Sequence, residues 1–200
     1  MKTLLIDVDN VLRDMITPVC KIYNRKYGTA FCKHDVKEYN LNKTFVNMTD
    51  DLEYYRDFPI EVLFKAPTEE KNTSLDMNNL YNLYQIVLVT HQLKGFEDYT
   101  LKWLEKKEIP YHDICFIKDK FNVKGDVFLD DRIENLEAYK ENNPRSDVVA
   151  YIQPWNSSWK GYSVENLMVF NNFLVIKNHL GDRRFKKWFF NGSKRDDYET

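Results

Sequence analysis

Five short apolar runs, at residues 3–6, 86–89, 114–117, 127–129 and 148–152, constrain this chain more than any other feature. Each is too short for a buried helix and suits a strand covered on both faces of a sheet. Between the later runs the period changes. Phe96, Tyr99, Thr100, Trp103 and Leu104 recur at steps of three and four, and so do Ile133, Leu136 and Tyr139. Leu167, Phe170 and Leu174 continue the helical spacing in a last segment read from Ser163 onward. Strand alternating with helix specifies an α/β fold, a doubly wound, Rossmann-like parallel sheet.

The first gap breaks this rhythm. Between residues 14 and 72 no buried strand is evident, and the stretch is too long for a loop. Ile16, Val19, Cys20, Tyr23 and Tyr27 form a helical stripe there, and Asp35 and Asp50 are placed to cap further short helices. The expectation is a small helical cap, residues 14–72, inserted after the first strand of a core made of residues 1–13 and 73–180. Residues 181–200 form a C-terminal arm.

Two hundred residues with 43% hydrophobic content can bury a core without staples. A net charge of −2 gives no bulk attraction to nucleic acid or to anionic lipid. There is no run of about 18 apolar residues, hence no expected membrane span. The opening residues do not read as a signal peptide. Cys20, Cys32 and Cys115 lack metal-ligand spacing and read as free thiols of a cytoplasmic protein. A homodimer is compatible with this composition.

In an open α/β sheet, ligands bind beyond the carboxyl ends of the strands. The first run leads into Asp7-Val8-Asp9-Asn10-Val11-Leu12, the second ends at Thr90, the third leads to Lys118-Asp119-Lys120, and the fourth ends at Asp130-Asp131-Arg132. In a parallel sheet these converge on one edge. Taken singly, each has a bland reading: a solvated strand end for Asp7 and Asp9, a turn for Asp130 and Asp131, a surface lysine for Lys120. Taken together they gather three carboxylates, which resist joint ionisation unless a cation neutralises them. All-oxygen ligation suits Mg²⁺.

This set resembles the haloacid dehalogenase (HAD)-like phosphatase superfamily, whose motifs are Asp-x-Asp-x-Thr/Val, a strand-end Thr or Ser, a Lys, and Asp-Asp after an apolar strand. More narrowly it resembles the 5′(3′)-deoxyribonucleotidases. The closer likeness rests on Asp7 to Leu12 with Asp14, on the ten-residue step from Lys120 to Asp130, and on Gln153-Pro154-Trp155-Asn156. It covers roughly residues 1–175. Two features depart from it or leave it open. Asn10 stands where the family commonly has Gly, and Asn tolerates positive φ. Lys118 and Lys124 flank Lys120, so the choice of lysine rests on spacing.

The resemblance implies a Mg²⁺-dependent phosphate monoester hydrolase acting on nucleoside monophosphates through an aspartyl-phosphate. Asp7 would be the nucleophile and Asp9 the proton donor and acceptor. Asp9, Asn10, Thr90, His91 and Lys120 would bind phosphate. Asp7, the Asp9 carbonyl and Asp130 would hold Mg²⁺, with Asp131 orienting its water. A second reading keeps the phosphatase and changes the substrate, to a sugar phosphate or a 3′-phosphate on a nucleic-acid end. A third is a non-catalytic binding module, whose expected mark, loss of these acids or of Lys120, is missing.

Rings in the insertion, among them Tyr23, Tyr27, Phe31, Tyr39, Phe45, Tyr54, Tyr55, Phe58 and Phe64, either stack on a nucleobase or pack a small core of their own. Trp155 either lies at the site or closes the edge of the core. The basic and aromatic stretch from Arg183 to Phe190 either grips a strand or partner, or packs its rings on the domain. His34, His112 and His179 are scattered and suit surface or capping roles.

Overall fold

A computed structural model describes residues 1–50, 52–181 and 184–185. Six strands form one parallel sheet: β1 (Thr3–Ile6), β2 (Gln85–Thr90), β3 (Asp113–Phe116), β4 (Val127–Asp130), β5 (Asp147–Tyr151) and β6 (Tyr162–Val164). Their order is β3-β2-β1-β4-β5-β6. The helices are α1 (Ile16–Tyr27), α2 (Glu53–Asp57), α3 (Thr73–Tyr81), α4 (Glu97–Lys106), α5 (Ile133–Asn142) and α6 (Leu167–Leu180).

The two-residue period of the strands sorts the core. Leu4, Ile6, Ile86, Leu88, Val127 and Leu129 face the layer containing Met77 of α3, Trp103 and Leu104 of α4, and Phe170 and Leu174 of α6. Leu5, Val87, Val89, Phe128, Val148 and Ala150 face the other side, against Leu136 and Tyr139 of α5. Gly125 leads into β4 so close to β1 that a Cβ there would lie 2.6 Å from the Leu5 side chain. Both faces are thus covered, as a fully parallel sheet requires.

Two elements differ from the sequence reading. Tyr162–Val164 is a strand, so the last helix starts at Leu167, where the Asn166 side chain accepts from Val169 N at 2.8 Å. Three residues of edge strand carry too little pattern to declare themselves. The polar α3 likewise shows no clear stripe in Thr73–Tyr81, yet it buries Thr73, Met77 and Leu80.

The stretch between β1 and α3 holds α1 and α2, two 3₁₀ turns (Lys33–Asp35 and Leu41–Lys43) and a π-helical turn (Ile60–Phe64). Asp14 Oδ1 accepts from Ile16 N and Thr17 N and so caps α1. Asp50 accepts from Leu52 N at 2.8 Å just before α2. Asp35 instead lies inside its turn and reaches back to Cys32 N. Met15, Ile16, Val19, Tyr23, Phe45, Tyr54 and Val62 bury one another in a separate apolar cluster. Tyr23, Phe31 and Phe45 meet ring to ring with centroids 4.9–5.7 Å apart, so these rings pack the insertion.

Of the arm, Phe185 is fully buried against Tyr162 and Phe173. Arg183 and residues 186–190 lie outside the described residues. Among the described residues no helix is long and apolar enough to cross a membrane. The described cysteines carry no disulfide.

Candidate active site

In this strand order the chain direction of the winding reverses between β1 and β4, and a crevice opens beyond their carboxyl ends. Asp7 follows β1 and Asp130 ends β4. The pairing continues one step past β1, with Asp7 N donating to Leu129 O at 3.0 Å, which brings Asp7 beside Asp130. Lys120 opens a 3₁₀ turn after β3 and points between them. Its Nζ lies 2.8 Å from Asp7 Oδ2 and 2.8 Å from Asp130 Oδ2. The three candidate lysines differ in setting: Lys120 is buried, Lys118 is exposed, and Lys124 donates to Asn143 Oδ1.

The carboxylates of Asp7, Asp130 and Asp131 are buried, with oxygens within 4.8 Å of one another. One lysine against three acids leaves excess negative charge in a dry place. Burial, helped by Asp130 and Asp9 and opposed by Lys120, raises the Asp7 carboxyl to about 7. Burial, followed by Asp130 and Asp7, also lifts Asp131 well above the usual carboxylate range. Burial works against the charge on Lys120, but the two flanking acids outweigh it and raise its pKa. A hard divalent cation among these oxygens would relieve the surplus, so the donor set fits Mg²⁺.

Asp130 is fixed on both oxygens: Oδ1 accepts from Arg132 N at 2.8 Å, and Asn135 Nδ2 reaches both at 3.1–3.2 Å. Trp155 Nε1 donates to Asp131 Oδ2 at 3.1 Å, and Asn156 Nδ2 donates to the Asp131 carbonyl at 2.8 Å. Gln153 Nε2 donates to the Asn10 carbonyl at 2.7 Å. The Trp155 ring packs on the insertion's apolar cluster rather than on the edge of the sheet core.

Asn10 adopts φ 57°, the left-handed region. Its N–H donates to Arg13 O and its Oδ1 accepts from Met15 N, so only its side-chain amino group remains for a ligand. The Asp9 carboxylate stands apart from the acid cluster. Oδ1 accepts from Arg13 Nε at 2.7 Å, and Oδ2 accepts from Gln92 Nε2 at 2.6 Å. Thr90 is buried at the end of β2, and Gln92 Nε2 also lies 3.3 Å from its Oγ1. His91 is exposed at the rim, its imidazole held below the usual range by partial burial and by Lys120, Lys118 and Arg132.

Asp7, Asp9, Asn10, Thr90, Gln92 and Lys120 line a cavity of about 990 Å³, bounded on the far side by Met15, Ile16, Tyr39, Leu41, Tyr55 and Leu63 of the insertion. Arg132 lies over the Tyr39 ring at 4.4 Å, and Tyr39 meets Trp155 edge to face at 6.4 Å. Arg13, Gln92 and Asn135 are site residues that the sequence reading missed. Only the spacing of Arg13, four residues past Asp9, hints at any of them.

Residues 1–167 match the model of the family described as "5′ nucleotidase, deoxy (Pyrimidine), cytosolic type C protein". The chain belongs to this family. It is thereby a hydrolase of the HAD-like phosphatase type. A 5′(3′)-deoxyribonucleotidase of Clostridium acetobutylicum is 27% identical over 150 residues, 70% of this chain and 78% of that protein. A Chlorobaculum tepidum protein is 36% identical over 61 residues, only 29% of its length. Among solved structures, a haloacid dehalogenase-like hydrolase of Streptococcus pneumoniae superposes with TM-score 0.64 at 11% identity, over 87% of this chain and 98% of that one. A HAD hydrolase of Bacillus subtilis, bound to magnesium, superposes with TM-score 0.57 at 13% identity, over 86% and 98%.

Proposed function

We propose that the protein is a Mg²⁺-dependent 5′(3′)-deoxyribonucleotidase working through an aspartyl-phosphate on Asp7. The observation that carries this reading is the buried Asp7–Lys120–Asp130 contact at the floor of a cavity large enough for a nucleotide. Family membership supports the nucleotide, and the relative's name supports the deoxyribose.

Asp7, Asp130 and the Asp9 carbonyl would hold the ion, with Asp131, steadied by Trp155, orienting its water. Bound there, the ion offsets the repulsion between an anionic nucleophile and an anionic phosphate. Asp7 attacks phosphorus, the bond from phosphorus to the sugar oxygen breaks, and its electron pair stays on that oxygen. Asp9 gives that oxygen a proton. In the second half Asp9 takes a proton from the attacking water, the water oxygen bonds to phosphorus as the Asp7–phosphorus bond breaks with its electron pair returning to the Asp7 carboxylate, and phosphate leaves. Lys120 stays against Asp7 and the phosphoryl group, Thr90 Oγ1 donates to a phosphate oxygen, and Asn10 and His91 complete the phosphate's surroundings.

Residues 14–72 act as a cap over the core of residues 1–13 and 73–180. The exposed edges of Tyr39 and Tyr55 and the indole of Trp155 offer faces for the base, where stacking contributes about 1–3 kcal/mol. The free thiols and the cytosolic family suit a cytoplasmic setting. The test is phosphate release by the purified protein from deoxy- and ribonucleoside 5′- and 3′-monophosphates, sugar phosphates and a 3′-phosphorylated oligonucleotide. Mg²⁺-dependent preference for the deoxynucleotides is expected. Preference for a sugar phosphate or for the oligonucleotide overturns the substrate, and equal rates with ribonucleotides overturn the deoxy assignment.

A further inference from the structure

Arg13 is the most conspicuous charged group that the proposed chemistry leaves unused. It is fully buried, although a guanidinium stays charged and loses much of its hydration there. Its donors are engaged on all sides. Nε and Nη2 meet Asp9 Oδ1 at 2.7 and 2.6 Å, Nη2 meets Thr100 Oγ1 at 3.0 Å, and Nη1 meets the Leu63 carbonyl at 3.3 Å. The guanidinium carbon also lies 5.3 Å from the centre of the Trp103 ring. Asp9 is the only carboxylate among these contacts.

The backbone fixes Arg13 as firmly as the side chain. Leu12 N and Arg13 N both donate to Val8 O, Asn10 N donates back to Arg13 O, and Arg13 pairs with Thr68 in a short antiparallel bridge. The turn from Asp9 to Arg13 is thus closed on itself and tied to the insertion. A Leu or Met at position 13 would fill the same space without charge, so packing alone gives no reason for an arginine. What the guanidinium adds is a rigid fork that holds one oxygen of Asp9, while Gln92 holds the other from the end of β2.

We propose that Arg13 is a positioning residue for Asp9, anchored at once to α4 through Thr100 and to the insertion through Leu63. It sets which way the Asp9 carboxyl faces and ties that orientation to the seating of the insertion on the core. This rests on the reading of Asp9 as the group that protonates the sugar oxygen. Proton transfer to the departing oxygen matters only where the leaving group needs a proton, whereas the water step that follows is common to every substrate. A sugar alkoxide needs a proton, whereas p-nitrophenolate leaves as a stabilised anion without one. Misplacing Asp9 therefore lowers kcat/KM, which reports the phosphoryl-transfer half, selectively for the first kind of substrate, whereas a general loosening of the fold lowers it for both.

The experiment compares wild type, Arg13→Met, Arg13→Lys and Thr100→Val on deoxyuridine 5′-monophosphate and on p-nitrophenyl phosphate, with Mg²⁺, at temperatures where each variant is folded. General acid catalysis contributes about 10²–10⁴-fold, so Arg13→Met should lose about 10²-fold in kcat/KM on the nucleotide. It should lose less than about 5-fold in kcat/KM on p-nitrophenyl phosphate, whose leaving group needs no proton. Arg13→Lys, which keeps one charged donor, should recover part of the nucleotide activity. Thr100→Val, which touches neither Asp9 nor the phosphate, should show the same selective loss at smaller size and serves if Arg13→Met does not fold. Equal losses in kcat/KM on both substrates, or no loss on the nucleotide in any variant, overturn the proposal. If the wild type hydrolyses p-nitrophenyl phosphate but no nucleotide, the functional reading fails first and takes this inference with it.

Discussion

Lys120→Met removes the one buried cation between Asp7 and Asp130 while keeping the side chain's length. The structure sets the size of the effect. Both 2.8 Å contacts vanish, and three acids remain in a site where Asp7 and Asp130 are at most 5% exposed. Breaking a buried pair by deleting one partner costs about 3–5 kcal/mol, because the remaining charge is left without compensation. For a chain of this length, that is a fall in Tm of very roughly 6–20 °C. The sign of its pH dependence follows from Asp7. Its folded-state pKa is already raised to about 7 with Lys120 present, and loss of the lysine raises it further. A raised carboxyl favours the folded state below the pKa of the unfolded chain and withdraws that support as pH climbs through the folded value. The variant should therefore be much less stable than wild type at pH 8 and closer to it at pH 5. The assay is thermal unfolding of both proteins in chelator at the two pH values, repeated in Mg²⁺. A variant as stable as wild type at pH 8, or one whose deficit is greater at pH 5, would refute the account of the buried charges.

Two further outcomes follow from the same geometry. In metal-free wild type, the part of the stability held by Asp7 and Asp131 should fall as pH rises from about 4 to 7, because burial keeps these carboxyls protonated while those of the unfolded chain ionise, and saturating Mg²⁺ should reverse the loss at pH 7; thermal melts with and without the ion check both. Trp155→Phe keeps a ring against the insertion but removes the hydrogen bond to Asp131 Oδ2, so Mg²⁺ titration should show affinity weaker by about 10-fold or more, with little change in Tm.

The acids at the strand ends were legible because a strand has a fixed direction and period. Apolar runs leading to Asp7, Thr90 and Asp130 converge once the sheet is parallel, and the lysine ten residues before Asp130 is the one that contacts both acids. What escaped depends on tertiary placement. Gln92 and Asn135 are ordinary polar residues until β2 and α5 bring them to Asp9 and Asp130. Arg13 gave no sign that it would be buried. The short strand Tyr162–Val164 and the polar helix Thr73–Tyr81 hide for a related reason, since each is held by packing rather than by its own pattern. The rings of the insertion divide as alternatives should: Tyr23, Phe31 and Phe45 serve its core, while Tyr39 and Tyr55 face the cavity.

The covalent role of Asp7 is the centre of this account, and Asp7→Asn tests it with least ambiguity. The substitution keeps shape and removes the nucleophile. Phosphate release from deoxyuridine 5′-monophosphate in Mg²⁺ should be measured alongside Tm for wild type and variant. The account predicts release by the wild type, none by the variant, and a variant that remains folded. A folded variant that still releases phosphate at a rate near the wild type's would contradict it.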